Sequence, residues 1–101
     1  MEILKGEELQ KMIASGEDLI LIDVRTEEEV AEGRIANTDN LDIRDPEFVD
    51  HIAEYDRNKT YVMICRSGGR SAQACMHMMD LGFKKIYNLE GGMLAWTGEK
   101  V

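Results

Sequence analysis

The chain has 101 residues, 44% of them hydrophobic and 6% aromatic, which suffices for one core and is too short for two ordinary domains, so residues 1–101 are read as a single domain. Its 12 Lys and Arg against 20 Asp and Glu leave a formal charge of −8, which argues against a nucleic-acid partner, because that contact needs a basic face. Apolar runs such as Leu19 to Ile22 are far below the about 20 residues of a membrane helix, the first eight residues lack the pattern of a secretory signal, and two cysteines are too few for a disulfide framework; a cytoplasmic, reducing setting with free thiols is expected.

Leu9, Met12 and Ile13 recur at helical spacing between Lys5 and Ser15, and Gly16 follows as a stop. Leu19-Ile20-Leu21-Ile22, running into Asp23-Val24-Arg25, has the unbroken apolar character of a strand buried on both faces. Thr26 is placed to cap a short acidic helix through Val30, with Glu27, Glu28 and Glu29 at the positive end of its dipole and Gly33 closing it. Asn40 to Ile43 makes at best a short strand. Asp45-Pro46 predicts a helix start with proline at its first position and an apolar face of Phe48, Val49, Ile52 and Ala53. A second buried strand follows at Tyr61 to Ile64, then a polar turn, then a helix from Arg70 to Leu81 with Ala72, Cys75, Met76 and Met79 as its apolar stripe and Gly82 after it. Lys85 to Leu89 reads as a last short strand, and Gly91-Gly92 leads into one or two helical turns over Met93 to Trp96. This alternation predicts an α/β fold with a mostly parallel sheet covered on both faces, whose ligands sit beyond the carboxyl ends of the strands.

Cys65 stands at such a carboxyl end, followed by Arg66, Ser67, Gly68, Gly69, Arg70 and Ser71. Adjacent glycines let successive N–H groups turn inward as an anion-binding nest, and a helix N-terminus adds partial positive charge. With two guanidinium groups nearby, these features lower a cysteine pKa and favour the nucleophilic thiolate. Cys75 lies on the helix stripe and reads as core packing. His51 and His77 have no partner at metal-ligand spacing, and Ser67 to Ser71 lacks the Gly-x4-Gly-Lys pattern of a nucleotide loop, so neither a metal nor a cofactor is expected.

Three motifs together resemble the single-domain rhodaneses, a sulfurtransferase family. They are Asp23-Val24-Arg25 with Glu29 and Gly33-Arg34-Ile35, the loop Cys65 to Ser71, and Asn88-Leu89-Glu90-Gly91-Gly92-Met93-Leu94-Ala95-Trp96, and their spacing spans nearly the whole chain. The resemblance implies a rhodanese-like fold with a sheet of about five strands and helices on both faces. It implies that the Cys65 thiolate attacks the outer sulfur of a small anionic donor such as thiosulfate, holds it as a persulfide and passes it to cyanide or a thiol. By the same resemblance the N–H groups of Arg66 to Ser71 cradle the persulfide, Arg66 and Arg70 attract the donor, and Arg25 with Glu29 forms a scaffold ion pair beside Asp23, an i, i+4 relation at a helix start. Trp96 and Gly91-Gly92 read as packing and turn residues. The chain departs from the family pattern at Arg34, at Ala36-Asn37 and at Asp42, all in one segment.

Two other readings stand beside this one. Cysteine phosphatases and arsenate reductases also use a loop from cysteine to arginine, but theirs is one residue longer than the stretch from Cys65 to Arg70, to wrap a tetrahedral oxyanion. Rhodanese-like domains also serve as protein-interaction modules or as sulfur relays to a partner protein's thiol, and the sequence leaves small-molecule turnover and relay both open.

Overall fold

A computed structural model describes residues 1–101. Its elements are β1 (Glu2–Leu4), α1 (Gly6–Ala14), β2 (Leu19–Asp23), α2 (Glu27–Ala31), β3 (Thr38–Asn40), α3 (Phe48–Ala53), β4 (Thr60–Ile64), α4 (Gly69–Asp80), β5 (Lys85–Leu89) and α5 (Gly92–Ala95). The five strands form one sheet in the order β1-β5-β4-β2-β3, and every pairing is parallel. Central β4 runs between β2 and β5, with Asp23 opposite Ile64 and Met63 opposite Asn88.

The unbroken apolar run of β4 follows from its central place, because a strand covered on both faces must be hydrophobic at every position. Tyr61, Met63 and Cys65 point into one core layer with Ile22, Val24, Phe48, Ile52, Ala74, Cys75 and Met78, so α3 and α4 cover that face. Val62 and Ile64 point the other way, into a layer with Leu9, Leu21, Leu89, Met93 and Trp96, closed by α1 and α5. Helices therefore lie on both faces, as expected. No helix is long and apolar enough to cross a membrane.

The structure corrects the sequence reading in four places. The edge strand β1 has no counterpart there: three residues with only Leu4 buried carry too little pattern to be read, and pairing with Tyr87 to Leu89 makes the strand. The third strand lies at Thr38–Asn40 rather than Asn40 to Ile43, because left-handed Asn37 (φ 62°) turns the chain onto the edge of β2 just before it. Asp45-Pro46 does not open a helix; the Asp45 side chain accepts from Glu47 N, and α3 begins at Phe48 with Val49 39% exposed. The stripe of α4 is Ser71, Ala74, Cys75 and Met78, while Met76 and Met79 are 62% and 50% exposed. Starting the stripe at a serine breaks the apolar pattern, and that serine belongs to the site.

Candidate active site

The carboxyl ends of β2, β4 and β5 set the site. Cys65 follows β4 directly, is 1% exposed, and its Sγ receives Gly68 N at 2.9 Å and the Ser71 hydroxyl at 3.2 Å. Burial pushes the thiol pKa up, but the Ser71 hydroxyl and the N–H groups of Ser71, Gly68 and Ser67 outweigh it and bring it below the ordinary cysteine value. The loop takes this shape because Gly68 has φ 107°, open to glycine and strained for other residues, and caps α4. Gly69 is not needed for that reason: a side chain there would meet open space.

The two loop arginines part company. The Arg70 guanidinium pairs at two points with Glu29 of α2, Nη1 to Oε1 and Nη2 to Oε2, both at 2.7 Å. Arg66 enters no ion pair and borders a cleft of about 230 Å³ between α2, Leu94 and Lys100. Arg66 is the unpaired cation of the loop.

Arg25 and Glu29 do not form the expected ion pair. Arg25 precedes the cap of α2, so the two share no helix face; its Nη1 donates only to the Glu29 backbone carbonyl. The guanidinium binds buried Asp23 through Nε and Nη2, the latter at 2.7 Å, and reaches the Gly33 carbonyl at 2.9 Å. Asn40 Nδ2 donates to the carbonyls of Asp23 and Arg25 and ties β3 to this knot. The Glu29 carboxylate turns instead to Arg70 and to its own cap, Thr26.

Two parts of the site escape the sequence reading. Asn88, 5% exposed on β5, donates from Nδ2 to the Gly68 carbonyl and accepts from the Ser71 hydroxyl at Oδ1. A polar residue within a strand next to the central one was the available signal, since a buried amide has to find partners. The start of α5 is the second: Met93 N donates to Cys65 O at 2.9 Å and Leu94 N to Arg66 O at 3.0 Å, which clamps the loop from outside. Gly91-Gly92 is thus a contact surface as well as a turn, for a Cβ on Gly92 would stand 2.4 Å from Cys65 O.

Cys75 is core, as expected: it is fully buried, its Sγ lies 3.8 Å from Tyr87 O, and burial pushes its thiol up to about 12. His77 packs edge-on against Phe48 and His51 sits 3.7 Å from Glu47.

Comparison with known proteins agrees with this fold. The rhodanese-like domain profile matches residues 5–99. A Bacillus subtilis (strain 168) protein, YtwF, named provisionally as a sulfurtransferase, is 46% identical over 91 residues, which is 90% of this chain and 85% of that protein. A protein of Allochromatium vinosum named sulfurtransferase is 37% identical over 94 residues, 93% of this chain and 86% of its own length. The crystal structure of a rhodanese-like domain protein from Staphylococcus aureus superposes with a TM-score of 0.87 at 30% identity, covering 98% of this chain and 94% of that one.

Proposed function

Because this chain belongs to the rhodanese-like domain family, we propose that it is a sulfurtransferase in which Cys65 carries the sulfur between thiosulfate, or a persulfide donor, and a thiophilic acceptor. The observation that carries this is the set of donors aimed at Sγ: the hydroxyl of Ser71 and the N–H groups of Ser67, Gly68 and Ser71, which favour the thiolate and are placed to receive an anionic outer sulfur after transfer.

The thiolate attacks the outer sulfur of thiosulfate. A bond forms from Cys65 Sγ to that sulfur, the sulfur–sulfur bond of thiosulfate breaks, and its electron pair leaves with sulfite, so one dianion enters and one departs. Cyanide or a thiolate acceptor then attacks the outer sulfur, and the electron pair of the breaking bond returns to Sγ. Arg66 supplies the unpaired positive charge that draws the dianion to an otherwise negative protein. Asp23, Arg25 and Glu29 hold the strand ends and α2 in place and take no part in the chemistry. A protein thiol is an acceptor of the same chemical kind as a small thiol, so relay to a partner uses the same steps. Free Cys65 and Cys75 suit a reducing cytoplasm.

The test is to incubate the protein with thiosulfate, record the intact mass, then add cyanide and assay thiocyanate. The expected result is a gain of one sulfur that cyanide removes as thiocyanate and that Cys65→Ala lacks. Wild-type protein that gains no sulfur and yields no thiocyanate overturns thiosulfate as donor.

A further inference from the structure

Three acceptors surround the Ser71 hydroxyl: Cys65 Sγ at 3.2 Å, Gly68 O at 3.2 Å and Asn88 Oδ1 at 2.5 Å. A hydroxyl has one proton to give. Gly68 O already receives Ala72 N at 3.1 Å and Asn88 Nδ2 at 3.1 Å, which fills its lone pairs. The same contact fixes the amide, since turning it over would set its oxygen against the Gly68 carbonyl. The proton is therefore contested between the sulfur just after β4 and the amide oxygen of β5. Ser71 is fully buried and Asn88 nearly so; the sulfur keeps Gly68 N at 2.9 Å whichever way the hydroxyl turns, whereas Asn88 Oδ1 has no other donor among its hydrogen bonds.

We propose that Asn88 is a positioning residue whose amide oxygen competes with Cys65 Sγ for the single Ser71 proton, so that the hydroxyl follows the charge on the sulfur. With Sγ ionised, the hydroxyl turns to the sulfur and leaves Asn88 Oδ1 bare. With Sγ neutral, as a thiol or as the inner sulfur of a persulfide whose charge sits on the outer atom, the hydroxyl returns to Asn88. Asn88 thereby restrains the empty thiolate and favours the sulfur-loaded state. The loaded half of this account rests on the sulfur-transfer reading; the competition for the proton does not. Around Cys65 stand Arg66 of the loop, Arg70 and Cys75 of α4, Glu29 of α2 holding Arg70, and the Asp23–Arg25 pair ending β2; none of them bonds the Ser71 hydroxyl.

The experiment is the rate of alkylation of Cys65 by iodoacetamide, read by peptide mass without any sulfur donor, at a pH where the thiolate is the minor form. Ser71→Ala slows it by roughly tenfold, the loss of one hydrogen bond to an anion. Asn88→Leu speeds it several-fold and Asn88→Asp slows it. In the Ser71→Ala background Asn88→Leu has no effect. Circular dichroism checks that each variant is folded. An Asn88→Leu protein that reacts more slowly, or that shifts the rate equally with and without Ser71, overturns the proposal; if that variant does not fold, an unchanged rate in Asn88→Asp does so. Failure to load sulfur alongside the expected alkylation pattern overturns the sulfur-transfer reading alone.

Discussion

Arg70 and Glu29 meet in a two-point ion pair, both contacts at 2.7 Å, that joins the first turn of α4 to α2 across the mouth of the site. The Arg70 side chain bonds to Glu29, still faces the Cys65 anion with its charge, and leaves Arg66 as the loop's unpaired cation. The bond to Arg70, opposed by burial and assisted by Thr26, holds the Glu29 carboxyl down at about 2 against an ordinary 4.5. A folded value below the unfolded one means the pair stabilises the fold at any pH above about 4.5 and that this contribution is lost as pH falls from there through about 2. Side-chain exposures of 21% and 26% leave it partly screened. Glu29→Gln is therefore expected to cost about 1 kcal/mol in denaturant titrations at pH 7 and next to nothing at pH 2.

The Asp23–Arg25 pair is the stronger tie. Asp23 is fully buried and Arg25 is 6% exposed, so removing the guanidinium strands a carboxylate away from water. Arg25→Met should destabilise by roughly 3–5 kcal/mol. Arg25→Lys should recover only part of that, since an ammonium cannot reach Asp23 and the carbonyls of Glu29 and Gly33 together. Thermal melts of the two variants check the order.

Adjacent or paired glycines carry opposite expectations. Gly92 has φ 56°, and a Cβ there would lie 2.4 Å from Cys65 O and 2.7 Å from Arg66 O, so Gly92→Ala must push α5 off the loop. It should destabilise by about 2 kcal/mol or more and slow sulfur loading. Gly69 opens α4 in helical conformation with open space where a Cβ would stand, and Gly69→Ala should leave loading unchanged and be neutral or stabilising by up to ~1 kcal/mol.

These outcomes mark where the sequence was informative. The buried run at β4, the glycine turn and Cys65 are local signals, since each depends on neighbours in the chain, and the structure has them where expected. The partners are what escaped. The family resemblance and the i, i+4 spacing match Arg25 to Glu29, but spacing counts only within one helix, and the cap at Thr26 falls between them. Ser71 hid the true stripe of α4 because a polar residue on a core face looks like a loop residue until the sulfur it serves is known to lie beneath it. Asn88 meets Gly68 and Ser71, Met93 N meets Cys65 O and Leu94 N meets Arg66 O because β5 pairs in parallel with β4, contacts between distant segments that no local pattern encodes.

The two cysteines should separate cleanly by reactivity and by pH. Burial raises Cys75 to about 12 from an ordinary 9, whereas hydrogen bonds hold Cys65 below its ordinary value despite burial. At neutral pH iodoacetamide should therefore modify Cys65 alone, and Cys65→Ser protein should stay unmodified until it is unfolded in denaturant. The signs of the stability effects are opposite. Cys65, lowered in the fold, adds stability above the ordinary thiol value, and this is lost as pH falls through the lowered one. Cys75, raised in the fold, adds stability below about 9, and this is lost as pH rises from there to about 12, because the unfolded chain ionises first. Cys75→Ala should accordingly be less stable at pH 7, by about 1–2 kcal/mol for the packing it removes, while losing less of its stability than wild type between pH 9 and pH 11. An alkaline loss equally steep in both proteins would assign it to the tyrosines or lysines instead.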